Sequence, residues 1–501
     1  MTDTTGGTAT PVWCGIDVGT SGVRAVIVGE RGEQFGEGTA ALPSGHRDGV
    51  RHEQSPLKWW DALVTAVRDA LAQADGAVCV EALSLDATSG TLVVEDADGA
   101  AVGPALMYDD ARAAEYAPRV RQAGAALWDE LGYRIQSSWS LPKILWLLEH
   151  DAVPTGGRIA HQGEHLLRRL AGVPVPTDTS TALKSGLDTR AAAWPWPLLN
   201  ELGVAQGLLP EVVLPGREIA VVGAAAAVAT GLRAGTPIKA GMTDGCAAQI
   251  AAGALTPGSW SSALGTTLVV KGATLDPVRD PSGAVYCHRH PDGGWLPGGA
   301  SSSGAGAIAA AFPGHDKAAF EALSAAADRL VPFPGVTYPL TGTGERFPFA
   351  AAQAHGLLAA EATGPESRFA ALCQAIAYVE RLAYDVLGNL GADVSGPVAL
   401  SGSAARNSWW NQLRTDVLGR PTLLPASVQA ATGAAVLAAA PPGELAATAA
   451  RMVRIERTYT PDPERGGRLR GGYVRLLEEL AGRGWLEPAL ADGIVKGQVG
   501  A

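Results

Sequence analysis

The amino-acid sequence predicts an α/β protein of two domains, and three observations predict it. The chain has 501 residues, whereas a single hydrophobic core stops growing at roughly 250–300 residues. Each half opens with two short apolar runs joined by a tight turn and continues with helical patterning. The two openings also share a local pattern. Ile16-Asp17-Val18-Gly19-Thr20-Ser21-Gly22 precedes one apolar run, and Ala263-Leu264-Gly265-Thr266-Thr267 precedes another. This duplication occupies one place and has no regular period, so a solenoid or propeller is not expected.

The elements follow in order. Residues 1–11 are Thr-, Gly- and Ala-rich, without the basic and apolar stretches of a signal peptide, and are expected to be a disordered leader. Residues 12–18 and 23–28 read as strands around a turn at 19–22. Trp59, Leu63, Val67 and Leu71 recur every fourth position and mark one stripe of an amphipathic helix. Residues 82–85 and 92–94 read as strands, and the dense Leu/Trp run at 143–150 as a helix. Strands are expected again at 238–242, 259–264 and 268–271. The alternating four- and three-residue spacing of Leu372, Ile376, Val379, Ala383 and Val386 predicts a long helix over 368–390. A strand at 397–401 and an alanine-rich helix at 432–440 complete the pattern. Pro257-Gly258 marks the expected boundary, giving domains at 12–256 and 257–501.

Composition narrows the function. Apolar residues make up 47% of the chain and charged residues 18%, which provides for buried cores and argues against global disorder. Fifty acidic residues against 39 basic ones give a net charge of −11, opposite to the basic face that nucleic acid selects. The longest apolar stretch, 219–230, falls short of the ~20 residues a membrane span requires. Five scattered cysteines without a C-x-x-C pair suit a reducing compartment. A cytoplasmic protein with neither nucleic-acid nor membrane partners is expected.

Two constellations could carry chemistry. A turn of Gly, Thr and Ser presents backbone N–H groups and hydroxyls to a phosphate chain, and the sequence has no Walker-type loop to do so instead. Asp17 precedes the first turn. A carboxylate beside phosphate needs a cation between them, which suggests Mg²⁺; an ordinary β-turn residue is the alternative. Asp244 stands where a strand ends and a small-residue helix begins, the position at which α/β sheets bind ligands, or it is simply a helix cap. Two further matches are weaker. His161-Gln162-Gly163-Glu164-His165 fits an inverted zinc-protease pattern but lacks a third ligand, so solvated helix histidines are expected. Gly304-Ala305-Gly306-Ala307-Ile308-Ala309 fits a dinucleotide fingerprint but follows a Gly/Ser loop instead of a strand. A small-residue loop near a nucleotide is the reading that remains.

Together, Asp17-Val18-Gly19-Thr20-Ser21, Tyr108-Asp109-Asp110-Ala111-Arg112, residues 241–245, Leu264-Gly265-Thr266-Thr267 and Ser401-Gly402-Ser403-Ala404-Ala405-Arg406-Asn407 resemble the motifs of the FGGY family of carbohydrate kinases, in order and over nearly the whole chain. The resemblance implies two actin-like (ribonuclease-H-like) domains with a central cleft for ATP and sugar. It also implies Mg²⁺ and phosphoryl transfer to a sugar or polyol hydroxyl. It assigns Asp244 as catalytic base, Asp17 to the metal, and Thr20, Ser21 and Arg24 to the first phosphate turn, although Arg24 can equally be a solvent-facing strand residue. Gly265 and Thr266 fall in the second phosphate turn; Gly402, Ser403 and Asn407 fall in the adenosine loop. The serines at 401 and 403 depart from that loop's usual glycines. At the sugar end the resemblance points to Ser89, Asp110, Asp244 and Gly245.

The segment Leu85-Asp86-Ala87-Thr88-Ser89-Gly90-Thr91, with Tyr108 in place of Trp, is similar to a subgroup that resembles xylulose kinases yet prefers D-ribulose. Ser89 could instead simply satisfy a turn. The expected reaction is ATP-dependent phosphorylation of D-ribulose at its terminal hydroxyl. D-xylulose or another polyol is the alternative within the class, and a catalytically silent actin-like binder is the alternative outside it. The partners expected are sugar and ATP; the one protein partner considered is a second copy of the chain, in a homodimer.

Overall fold

A computed structural model describes residues 9–74 and 78–499. The chain divides into two units: residues 1–253, 288–295 and 427–454 form the first, and residues 254–287, 296–426 and 455–501 the second.

The first unit is built on a six-stranded sheet. Its strands are β1 (Thr10–Val18), β2 (Gly22–Gly29), β3 (Gln34–Ala41), β4 (Val78–Ala87), β5 (Glu218–Val221) and β6 (Pro237–Lys239), in the order β5-β6-β4-β1-β2-β3. β1, β2 and β3 form an antiparallel meander. β4 lies parallel to β1, β6 parallel to β4, and β5 closes the edge antiparallel. Helix α1 (Pro56–Gln73) buries Trp59, Leu63 and Val67 against this sheet, the stripe that the fourfold spacing marks. An accessory five-stranded sheet pairs His46–Asp48, Arg51–Gln54, Ala105–Leu106, Leu92–Glu95 and Arg158–His161 in that spatial order. Helices α2 (Ser140–Glu149) and α3 (Gln162–Ala171) belong to the same unit.

The sheet of the second unit comprises β7 (Trp260–Leu264), β8 (Leu268–Gly272), β9 (Val285–Arg289), β10 (Trp295–Ala300), β11 (Val398–Ser401), β12 (Thr422–Pro425) and β13 (Ile455–Tyr459), in the order β9-β10-β8-β7-β11-β12-β13. Again an antiparallel meander (β7, β8, β10) is followed by two parallel strands, β11 and β12, and an antiparallel edge strand. The duplication that the sequence shows at a single turn therefore extends over six strands of each sheet.

Four expectations need correction. Residues 1–8 of the expected leader lie outside the described residues, while Thr10 and Pro11 already pair with Val78 and Cys79 in β1. The strand expected at 238–242 leaves the sheet after Lys239, the last residue of β6 in register with β4. A single boundary at 256 also does not describe the packing. The alanine-rich helix (Ala430–Ala439) lies on β1, so close that a Cβ on Gly15 would sit 1.8 Å from Ala431 O. Small residues on both surfaces permit that approach, which is why 427–454 returns to the first unit. Finally, His161 and His165 are not solvated: each is 1% exposed. His161 caps α3 in a capping box with Glu164, and His165 Nδ1 lies 2.8 Å from the buried Glu95 Oε1.

Candidate active site

In the first unit three carboxylates converge. Asp17, near the end of β1, is in register with Asp86 on the parallel strand β4. Asp244 opens the helix Asp244–Ala251 (α4), and a bridge between Ala87 and Thr243 brings it beside the end of β4. The residue at the N-cap is Thr243, not Asp244. Asp244 is exposed, with Gly245 N donating to its Oδ1 at 2.6 Å. The cap alternative for Asp244 therefore does not hold.

Asp86 is 1% exposed, and among the described residues no N–H donates to either of its oxygens. Burial, and then the negative charges of Asp17 and Asp244, hold its carboxyl well above the ordinary range. Burial also raises Asp17; its hydrogen bond with Asp86 and the charge of Arg24 pull it down, and Asp244 pushes it up. Sequence reasoning quoted Asp86 without assigning it a role. The available signal was a carboxylate inside an otherwise apolar strand.

The first Gly-Thr turn is held from behind. Gln54 Nε2 donates to Thr20 O at 2.8 Å, Trp59 Nε1 donates to Gln54 Oε1 at 2.8 Å, and Leu42 N donates to Ser21 O at 2.9 Å. Arg24 is in register with Asp17 and pairs with Glu37 at 3.1 Å while 39% exposed. It is both near the carboxylates and partly in solvent, so neither of the two readings excludes the other.

Ser89 is half-buried, and its buried hydroxyl has no hydrogen-bond partner among the described residues. The neighbouring Thr88 hydroxyl is engaged by Gln162 and Thr91, each at 2.7 Å. Asp110 is fully buried. Its oxygens accept from His52 N, Arg112 N, Arg112 Nε and Arg112 Nη2, and Arg112 Nη2 also reaches Glu53 Oε1 at 2.6 Å. Burial pushes its carboxyl up, but the Arg112 and backbone hydrogen bonds outweigh that and hold it low. Saturated in this way, Asp110 orients Arg112 rather than offering a lone pair of its own.

The second unit assembles the other expected residues. Ala263 is in register with Ser401, which brings Gly402 and Ser403 alongside the Gly265-Thr266 turn. Gly402 has φ +84°, and a Cβ there would sit 2.4 Å from Leu264 O, so backbone proximity alone demands glycine. Ala305 N and Gly306 N donate to Gly265 O and Thr266 O at 2.9 and 3.0 Å. The apparent dinucleotide fingerprint is thus the start of the helix Gly306–Ala311, packed behind this turn. Asn407 does not project freely toward a nucleotide. Its Oδ1 caps the helix Ser408–Leu418 through Trp410 N at 3.0 Å, and its Nδ2 donates to Ser324 Oγ at 2.8 Å.

Residues 12–251 match the N-terminal domain of the FGGY family of carbohydrate kinases, and residues 261–441 match its C-terminal domain. The chain belongs to the FGGY family of carbohydrate kinases. It is a sugar kinase, a phosphotransferase. The xylulose kinase of Streptomyces rubiginosus is 31% identical over 442 residues, covering 86% of this chain and 88% of that protein. The autoinducer-2 kinase of Escherichia coli K12 is 27% identical, covering 90% of each chain. In fold, the crystal structure of xylulose kinase from Rhodospirillum rubrum superposes with a TM-score of 0.83 at 23% identity, over 94% of this chain and 98% of that one. Plasmodium falciparum glycerol kinase with ADP gives 0.80 at 15% identity, over the same shares. These likenesses agree with the α/β, two-domain FGGY fold that the motifs imply.

Among the described residues, no group of three or more His, Cys, Asp or Glu side chains is arranged to hold a metal ion alone, and no helix is long and apolar enough to cross a membrane. The oxygen-only set around Asp17 nevertheless fits Mg²⁺, which usually takes one or two carboxylates and completes its shell with substrate phosphates and water. Burial, and then the charge of Asp244, raise Asp17, and a cation beside its carboxylate would offset both.

Proposed function

We propose that this FGGY kinase transfers the γ-phosphoryl group of ATP to the terminal hydroxyl of a small ketose, D-ribulose in the first place. The observation that carries the reading is the exposed Asp244 carboxylate at the end of β4, beside Asp17 and the buried Asp86. A primary alcohol is a poor nucleophile, so Asp244 accepts its proton as the oxygen attacks phosphorus in line. Thr20, Ser21 and Thr266 offer hydroxyls and N–H groups to phosphates, whereas Gly265, whose N–H donates to Thr267 O at 3.1 Å, contributes close backbone approach alone. Their carbonyls are already taken by Gln54, Leu42, Ala305 and Gly306. Gly402 and Ser403 line the nucleotide base. Asp17 would hold Mg²⁺, which supplies charge neutralisation on the phosphates.

Ser89, whose buried hydroxyl has no partner among the described residues, discriminates the sugar. D-Ribulose and D-xylulose differ at C3 alone, so selection rests on individual hydroxyl pairings. An unpaired buried donor or acceptor costs ~1–3 kcal/mol, roughly 5- to 150-fold in kcat/KM. D-Xylulose is the second reading, favoured by the xylulose kinases among the relatives. The test is a coupled assay with saturating ATP across ketoses and polyols, with wild type and Ser89→Ala. The expected result is a higher kcat/KM for D-ribulose and a narrower gap between the epimers in the variant. A wild-type preference for D-xylulose defeats the ribulose assignment, and no turnover of any sugar defeats the kinase reading.

A further inference from the structure

Lys143 lies on α2, fully buried. An ammonium group inside a protein is costly unless every donor is satisfied, and this one does not point at a carboxylate. Its Nζ donates to two backbone carbonyls, Gly90 O at 2.6 Å and Met107 O at 2.8 Å. Those carbonyls belong to the two turns that carry the sugar-side residues. Gly90, at φ +100°, follows Ser89. Met107 O also accepts from Asp110 N at 3.0 Å, closing the turn that presents Asp110 and Arg112. In the accessory sheet the ladder between the two strands stops at the pair Leu92 and Leu106. Lys143 stands where the next rung would be. The same helix face supports the second turn once more, since the Arg112 guanidinium lies over the Trp146 ring, 5.1 Å from its centroid.

We infer that Lys143 is a positioning residue for the sugar site, tying the Ser89–Gly90 turn to the Met107–Arg112 turn so that Ser89 and Arg112 keep a fixed separation. This inference rests on the reading that those two turns face the sugar. A donor to two carbonyls at once is what such a tie requires, and the long flexible lysine stem supplies the reach from α2 to both turns. Burial holds its amine down to about 7, with Asp110 and Asp109 favouring the charge and Lys184 and Arg112 opposing it. The amine keeps at least two donors in either state, so the tie persists across neutral pH.

The experiment compares wild type, Lys143→Met (similar length, no donor) and Lys143→Gln, all in the full-length protein. Steady-state kinetics in Lys143→Met should show the ketose KM raised about tenfold or more, as two lost hydrogen bonds imply, with kcat and the KM for ATP changed less than about threefold. Lys143→Gln, which retains donors on a shorter stem, should fall between. Hydrogen–deuterium exchange should accelerate in peptides covering residues 88–92 and 106–112 of Lys143→Met while peptides from the second unit stay as in wild type. Unchanged exchange in both turns overturns the inference, as does a loss shared equally by kcat and both KM values. If wild type turns over no ketose, the functional reading fails, and the exchange data still decide whether the tie exists.

Discussion

Asp244 and Lys143 are both ionisable groups in the first unit, and their surroundings give them opposite consequences. Asp244 is exposed at a helix start beside two carboxyls, so replacing it with Asn keeps the shape and removes only the basic charge. Asp244→Asn is expected to lower kcat by roughly 10²–10⁴-fold, the usual range for a general base, with native circular dichroism and nearly unchanged sugar binding by calorimetry. Near-normal turnover in the folded variant would remove Asp244 from the mechanism. Lys143 gives a pH signature in stability instead. Its folded value is about 7 against an ordinary 10.5, so between those limits the unfolded chain holds a proton that the folded chain has released. Stability therefore rises with pH across that window, by at most about 1.4 kcal/mol per pH unit. Urea unfolding at pH 7 and pH 9 should show wild type gaining on Lys143→Met; a constant difference would mean that the amine titrates outside the window. Asp17 and Asp244 stand out in the sequence as carboxylates at a turn and at a strand end, whereas Ser89 enters through the family resemblance alone. Asp86 and Lys143 do not stand out, because a buried charge inside an apolar strand or helix has no sequence signature apart from its incongruity.

The helices of the second unit are held together by a charge as well as by apolar packing. Glu380 lies on the helix Pro365–Asn389 (α5) and Arg414 on the helix Ser408–Leu418 (α6), both wholly buried, with Nε–Oε2 at 2.7 Å and Nη2–Oε1 at 2.8 Å. Arg414 Nη2 also donates to Ser262 Oγ on β7 at 3.1 Å. One bidentate pair thus fixes two helices and a strand. Removing one partner leaves the other charge buried and alone, so Glu380→Ala is expected to cost about 3–5 kcal/mol. The double replacement Glu380→Leu with Arg414→Met should cost less than the single one. Denaturant unfolding of Glu380→Leu, Arg414→Met and the double variant measures this, and additive losses would show that the pair is not coupled. The sequence located α5 within a few residues because its apolar stripe repeats with the helical period. It did not locate β13, where only Tyr459 of Ile455–Tyr459 is buried, or β3, whose glycines erase the alternation on which strand reading depends. Edge strands bury too little to leave a pattern.

At the scale of the whole molecule, chain order and packing order differ. The turn motifs announced two similar units, and both sheets do repeat the same meander, parallel pair and antiparallel edge. Sequence reading nevertheless drew the boundary as a single cut, because composition shifts are visible locally and a long-range return of the chain is not. The returning helix (Ala430–Ala439) buries Ala431, Ala434, Ala435 and Val436. It covers Gly15 of β1 and lies against Ala247 of α4, the helix that Asp244 opens. Further along the same return, Gly443 N and Leu445 N donate to Asp292 at 3.0 and 2.7 Å, again within the first unit. A fragment ending at residue 253 would therefore expose the face of β1 and α4 that the helix covers, and with it the support beneath Asp17 and Asp244. Expressed alone, residues 1–253 are expected to lack a cooperative thermal transition and to bind a hydrophobic dye. The same fragment joined through a flexible linker to residues 427–454 should regain the transition and lose the dye signal. Cooperative unfolding of the shorter fragment without the added segment would show that the first unit is complete at its single chain boundary, and that the returning helix is an attachment instead of part of the core.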